Sequence, residues 1–171
     1  MPKPKNAQIV GEVLKYSLVI VVSAVILIAG YKSINLVQAK NCKTEMLKFE
    51  IDLRSLDKNS VYGSKELKSY DVPCSLDEIY FFDRSKDINP GIFSDNPIIQ
   101  NSVESKSGNN IFMVKEGQFI GSFSGGNLEI ETPHYICFKP KNGKISFFQE
   151  GNGKSAKISI ADGQPDCTQR Q

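Results

Sequence analysis

The sequence is poorest in the side chains that carry most chemistry. Trp is absent, and His occurs once, as His134, among 171 residues. A single imidazole severely narrows the general-base and metal-ligand options. An excess of one charge sign is missing as well: Lys and Arg number 21 against 19 Asp and Glu, interspersed, for a net charge of +2. Phosphate binding rests on clustered cations, so no nucleic-acid partner is expected. Familiar motifs fail one by one. No Cys-x-x-Cys occurs, which leaves a redox motif or zinc knuckle unsupported. Gly153-Lys154-Ser155 ends like a phosphate-binding loop, but Phe148 stands where that loop requires Gly. Asp83, Asp87 and Asp95 lack calcium-loop spacing. His134 and Cys137 are three apart, and on a strand such residues point to opposite faces, which separates a nucleophile from its base. The expectation is a non-enzymatic protein with no catalytic residue, no cofactor and no metal site.

What is present is strongly asymmetric. From Tyr16 to Tyr31 no residue is charged, and with Val13, Leu14 and a snorkelling Lys15 the apolar helix has 19 residues. At about 1.5 Å per residue that is roughly 28 Å, close to the thickness of a hydrocarbon core. Tyr16 and Tyr31 sit where interfacial aromatics are expected, and Lys32 follows. A lone segment in lipid must satisfy its own backbone, so it is helical. Val37-Gln38-Ala39 has the small-x-small form of a signal cleavage site, but it lies well beyond the apolar run, so the segment is read as a retained anchor. Lys3, Lys5 and Lys15 on one side, against Lys32, Lys40 and Lys43 on the other, barely discriminate orientation. All four cysteines follow the anchor, which suits a disulfide-permitting compartment. The expected placement is the cell membrane, single-pass, with the N-terminus cytoplasmic and the C-terminal domain extracytoplasmic.

The first 31 residues carry a resemblance. Pro4-Lys5-Asn6-Ala7-Gln8-Ile9-Val10-Gly11-Glu12 followed by the apolar run resembles the processing region of type IV pilins and archaeal pilin-like proteins. In that family a short basic leader ends in a small residue, and a Glu stands fifth in the mature chain. The resemblance implies Lys5 as the basic residue, Ala7 as the small one, Gln8 as the mature N-terminus and Glu12 as the fifth residue. It also implies assembly with like subunits through the N-terminal helix, Glu12 pairing with a neighbour's terminal amine. A carboxylate at the start of a membrane-embedded helix needs such a cation. Asn6-Ala7 departs from the family's usual basic residue and Gly, and Lys15 interrupts the apolar stretch.

From Ser33 to Leu56 there is no Pro or Gly, and Ile34, Val37, Met46, Phe49, Leu53 and Leu56 recur at helical spacing. This reads as an amphipathic stalk whose C-terminal half packs Met46, Phe49 and Leu53 on the following domain. Beyond Asn59 the period becomes two. Strands are expected at 65–72, 78–83, 111–115, 118–123, 127–131, 135–139, 144–148 and 156–160. Glu116-Gly117 and Asn142-Gly143 are hairpin signals, and Gly151-Asn152-Gly153 marks a last turn. The 84–110 stretch, with Pro90 and Pro97, reads as a long irregular connection fit for ligand binding, removable by deleting 86–108 without unfolding the domain. Ile111, Met113, Phe119, Ile136, Phe138, Ile145, Phe147 and Ile158 are the expected core.

The fold class that follows is α+β: a long N-terminal transmembrane-plus-stalk helix, then a small antiparallel β-sandwich or partly open barrel. The expected parts are a leader at 1–7, a transmembrane helix at 8–32, a stalk at 33–58, a β domain at 59–161 and a loose tail at 162–171. Cys74 follows Pro73 just before a core strand and Cys137 lies in another, so a Cys74–Cys137 disulfide is favoured, with Cys42 and Cys167 left over. The expected function is a membrane-anchored, non-enzymatic surface protein of pilin-like assembly, with the lipid bilayer and like subunits as partners. The alternative is a monomeric anchored extracytoplasmic binding module.

Overall fold

The computed structural model describes residues 5–54, 56–58 and 62–168, with backbone alone for 5–13 and 35–40. The chain divides into two compact units, residues 1–43 and 44–171. Helix α1 covers Lys5–Leu53. Within the first unit it carries Leu14–Ile34, a stretch of 21 residues with mean hydropathy 2.1 and none of it buried. It is long and apolar enough to cross a membrane, with a rise of roughly 32 Å at about 1.5 Å per residue.

The second unit begins inside the same helix. Here one face is buried: Phe49 is 2% exposed and Leu53 and the following Leu56 are buried with it, while the apolar Leu47 and Ile51 face outward. Met46 packs at the edge of the same cluster. The helix is stapled near its end by Arg54, whose guanidinium pairs with the Glu50 carboxylate one turn back. The carbonyl of Leu56 accepts a hydrogen bond from the buried Gln149 side chain at 2.7 Å.

Eight strands follow: β1 (Lys65–Asp71), β2 (Glu78–Phe82), β3 (Ile111–Lys115), β4 (Gln118–Phe123), β5 (Leu128–Ile130), β6 (Tyr135–Phe138), β7 (Lys144–Gly151) and β8 (Ala156–Ile160). They form two four-stranded sheets, ordered β1-β7-β8-β5 and β4-β3-β2-β6, and neither closes into a barrel. Every pairing is antiparallel except β5 with β8, which run parallel with Leu128 opposite Ala156 and Ile130 opposite Ile158. That pair departs from the all-antiparallel expectation, because β5 is reached by a long path through the other sheet rather than by a hairpin. The tight turns match their sequence cues. Glu116 and Gly117 have φ of 51° and 74°, and Asn142 and Gly143 have 53° and 72°, the left-handed pairs of two-residue turns. The first joins the paired β3 and β4, whereas the second closes only the Lys141–Lys144 bridge. The expected hairpin of 135–139 with 144–148 is not formed, because β6 and β7 enter different sheets.

One hydrophobic cluster draws Ile79 and Phe81 from β2, Ile111 and Met113 from β3, Ile136 and Phe138 from β6, Ile145 and Phe147 from β7, and Ile158 from β8. Phe49, Leu53 and Leu56 join it from the helix end. The Phe147 ring stands 5.5 Å from Phe81 of the other sheet, edge to face. Of the expected core residues, Phe119 alone lies elsewhere, half-buried against a second cluster. Strand β7 alternates buried and exposed positions, as a sheet with one wet face should. Strands β2 and β6 are buried at every position. Their sheet therefore has cover on both faces, and the second cover comes from the 84–110 segment.

Candidate functional site: the cleft beneath the 84–110 segment

The segment between β2 and β3 is more ordered than its composition suggests. It holds a 3₁₀ turn at Pro90–Phe93 and a helix, α2, at Pro97–Glu104. Asn89 caps the turn, its side-chain oxygen accepting from the Gly91 amide at 3.0 Å. Pro97 opens α2, where a missing N–H costs nothing. Two side chains fasten the segment inward: Phe93 and Ile99 are buried, at 5% and 0% exposure. The Phe93 ring meets Tyr80, Phe82 and Tyr135 at 5.8, 5.2 and 5.3 Å, each edge to face. A second hydrophobic cluster thus lies on the outer face of β2, β3 and β6.

Polar groups fix the two ends of the segment. Asp83, 1% exposed, accepts from the amide and hydroxyl of Ser85 at 2.9 and 2.6 Å. Asn110, fully buried, donates to the carbonyl of Gly126 at 3.0 Å and accepts from the amide of Gly125 at 2.8 Å. Arg84 donates to the carbonyls of Gly108 and Gly126. Lys106 and Asp87 form an ion pair of 2.8 Å between the two walls. The Lys106 hydrogen bond, then its charge, holds the Asp87 carboxyl below the usual range, and Asp87 raises Lys106 in return. Both are solvent-exposed, so the pair orients the walls more than it stabilises them.

Between these walls lies a cleft of about 230 Å³. Phe82 and Phe112 form its back, Ile88 and Val103 its sides, and charged groups its rim. The sequence placed a binding segment here but no particular residues. Asn96-Pro97 was the available signal for α2, a polar residue before Pro at the first helical position. Asn110 and Arg84 carry no sequence signal, because their roles depend on loops distant in the chain.

The other sequence-predicted residues distribute as follows. Ala7, Gln8 and Glu12 lie outside the residues whose side chains are described. The favoured Cys74–Cys137 disulfide is not formed: Cys137 bonds to Cys167, with Cα atoms 4.9 Å apart. Cys42 and Cys74 are also disulfide-bonded. The physical reason is the tail. Residues 162–168, expected to be loose, run beside β6. Phe138 bridges Asp166, the Cys137 amide donates to the Thr168 hydroxyl at 2.9 Å, and the Tyr135 hydroxyl donates to the Thr168 carbonyl at 2.8 Å. The tail brings Cys167 to Cys137 and covers the free edge of β6. Burial there, and then the charge of Asp166, pushes the Tyr135 hydroxyl pKa up. His134 enters β6 with a φ of 71°, its Nδ1 3.1 Å from the Ile130 carbonyl. Gly153 and Ser155 belong to a turn in which Asn152 accepts from the amides of Lys154 and Ser155. Among the described residues no cluster of three or more His, Cys, Asp or Glu side chains could hold a metal ion.

No protein-family model, curated protein or solved structure matches this chain.

Proposed function

We propose that this chain is a single-span, membrane-anchored, non-enzymatic surface protein that holds its β domain outside the cytoplasm. One observation carries the reading: Leu14–Ile34 has mean hydropathy 2.1, is charged only near its ends at Lys15 and Lys32, and is entirely unburied. A helix apolar all round is stable only where something other than water covers it. The disulfide in the β domain supports an oxidising compartment. The two sheets, sharing one core, are read as an open sandwich. The chain should resist alkaline carbonate extraction from membranes, and protease added to right-side-out vesicles should digest the β domain. Release by carbonate, or digestion in inverted vesicles alone, overturns the proposal.

The resemblance around Ala7, Gln8 and Glu12 extends the reading to a pilin-like subunit that assembles with copies of itself through α1. Mass spectrometry of the mature chain tests it: a first residue of Gln8 supports processing, and a first residue of Met1 or Lys40 ends it. A Glu12→Ala variant that assembles normally also counts against it. A second reading, an anchored binding module, is favoured by a separate observation, the cleft at the end of β2. The two readings share the anchor and differ in what the β domain does.

A further inference from the structure

We propose that the cleft between the end of β2 and the end of α2 takes an uncharged, ring-bearing small molecule. The inference rests on the second reading above, that the β domain is a binding module. Size comes first. The cleft holds about 230 Å³, whereas an apolar protein cavity of about 150 Å³ takes up benzene. One ring with a substituent fits; a drug-sized ligand, which uses roughly 300 Å³ or more, does not.

Surface chemistry comes second. Phe82 and Phe112 meet edge to face, centroids 5.2 Å apart, at the back of the cleft. Ile88 and Val103 flank them, half-buried, each also touching the second hydrophobic cluster. Two aromatic rings with two aliphatic side chains in the lining suit an apolar ring.

Charge decides the class. Arg84, Lys86 and Lys106 are balanced by Asp87 and Glu104 on the rim and by the buried Asp83. Five of the six are already engaged. Lys106 pairs with Asp87. Arg84 is held by two carbonyls, Asp83 by Ser85, and Glu104 by Gln100. A cationic ligand would have to break one of these contacts or bring an unpaired charge against phenylalanine, and an anionic one would have only Lys86, exposed and screened by water, to offset its desolvation; both cost free energy. A neutral ring displaces none of them. Lys86, exposed at the rim, stays available to donate to a polar substituent.

The test uses the full-length chain in phospholipid nanodiscs, with Ile and Val methyl groups labelled for NMR. Indole, benzoate and benzylamine are the probes, each at a free concentration fixed by dialysis. Indole should give saturable shifts at Ile88 and Val103 with a Kd near or below about 1 mM. Benzoate and benzylamine should bind about tenfold more weakly or worse. Val103→Phe, or Ser102→Tyr at the adjoining lining position, should abolish the indole shifts. The Ile79 and Ile158 signals of the inner core report that each variant is folded. If either charged probe binds as tightly as indole, the ligand class is wrong and the binding module stands. If no probe saturates, both fall.

Discussion

Two stretches of the same helix obey opposite rules. Leu14–Ile34 is charged only near its ends, at Lys15 and Lys32, and has no side chain buried. Residues 44–53 are apolar on both sides too, but Phe49 and Leu53 are buried in the β domain whereas Leu47 and Ile51 are exposed among Lys48, Glu50 and Arg54. Helix propensity does not separate them, because both stretches are helical. What separates them is the medium each face meets. The second stretch gains stability by removing one stripe from water, and its free face is wet. The first buries no stripe against protein and is long and apolar enough to cross a membrane.

Substitutions can break or sharpen that contrast. The largest effect should come from Phe49→Ala. Deleting a fully buried ring should cost the β domain about 3–5 kcal/mol, read by urea unfolding of the nanodisc-held chain with near-UV circular dichroism. Val25→Ala should leave the same transition unmoved, and a comparable loss at Val25 would mean that the first stretch is packed against protein. Next in size, Val25→Arg should disfavour membrane insertion by about 2.5–3.5 kcal/mol, measured as the membrane-bound fraction of newly made chain. Leu47→Arg, exposed on the second stretch, should insert like the parent chain. A smaller loss, about 1–3 kcal/mol, should follow Gly126→Ala. Gly126 has a φ of 86°, and a Cβ there would overlap the Asp57 carboxylate just past the helix end. An unshifted unfolding midpoint would show that the helix end tolerates movement. The smallest effect concerns pH. Tyr70 is partly buried beside Phe147, 5.5 Å away, and burial, then the charge of Asp52 on the helix, raises its pKa above 10.0. A raised phenol pKa favours the neutral folded form, so this contribution is complete below about pH 10 and is lost as pH rises through the folded pKa. Tyr70→Phe should flatten the alkaline fall in stability; an identical pH profile would remove Tyr70 from the account.

The 84–110 segment shows where sequence reading stops short. Its prolines and polar residues read as a loop whose deletion at 86–108 abolishes binding and leaves the domain folded. Phe93 and Ile99 inside it are buried, and they cover the outer face of β2, β3 and β6. That deletion would bare Tyr80, Phe82 and Tyr135 and should unfold the domain, so point substitutions at Val103 and Ser102 are the cleaner probes. The 78–83 stretch itself reads as a buried strand, and what covers it is the 84–110 segment. Glu78-Ile79-Tyr80-Phe81-Phe82 does not alternate, and a strand apolar on both faces needs a cover on both.

Local rules made much of the molecule legible. The apolar run, the Glu116-Gly117 hairpin, the tight turn at Asn142-Gly143 and the inward positions of β7 follow from contacts a few residues apart, which the chain encodes where they occur, although the strands on either side of Asn142-Gly143 enter different sheets. Four features waited for the tertiary structure: the parallel β5–β8 pair, the Cys137–Cys167 bond, the ordered tail and the cleft closed by Arg84 and Asn110. Each joins segments between 16 and 42 residues apart or brings strands together without a hairpin. No periodicity records such meetings. They are decided when the sheets pack, because only then are the open edge of β6 and the bare outer face of β2 present to be covered.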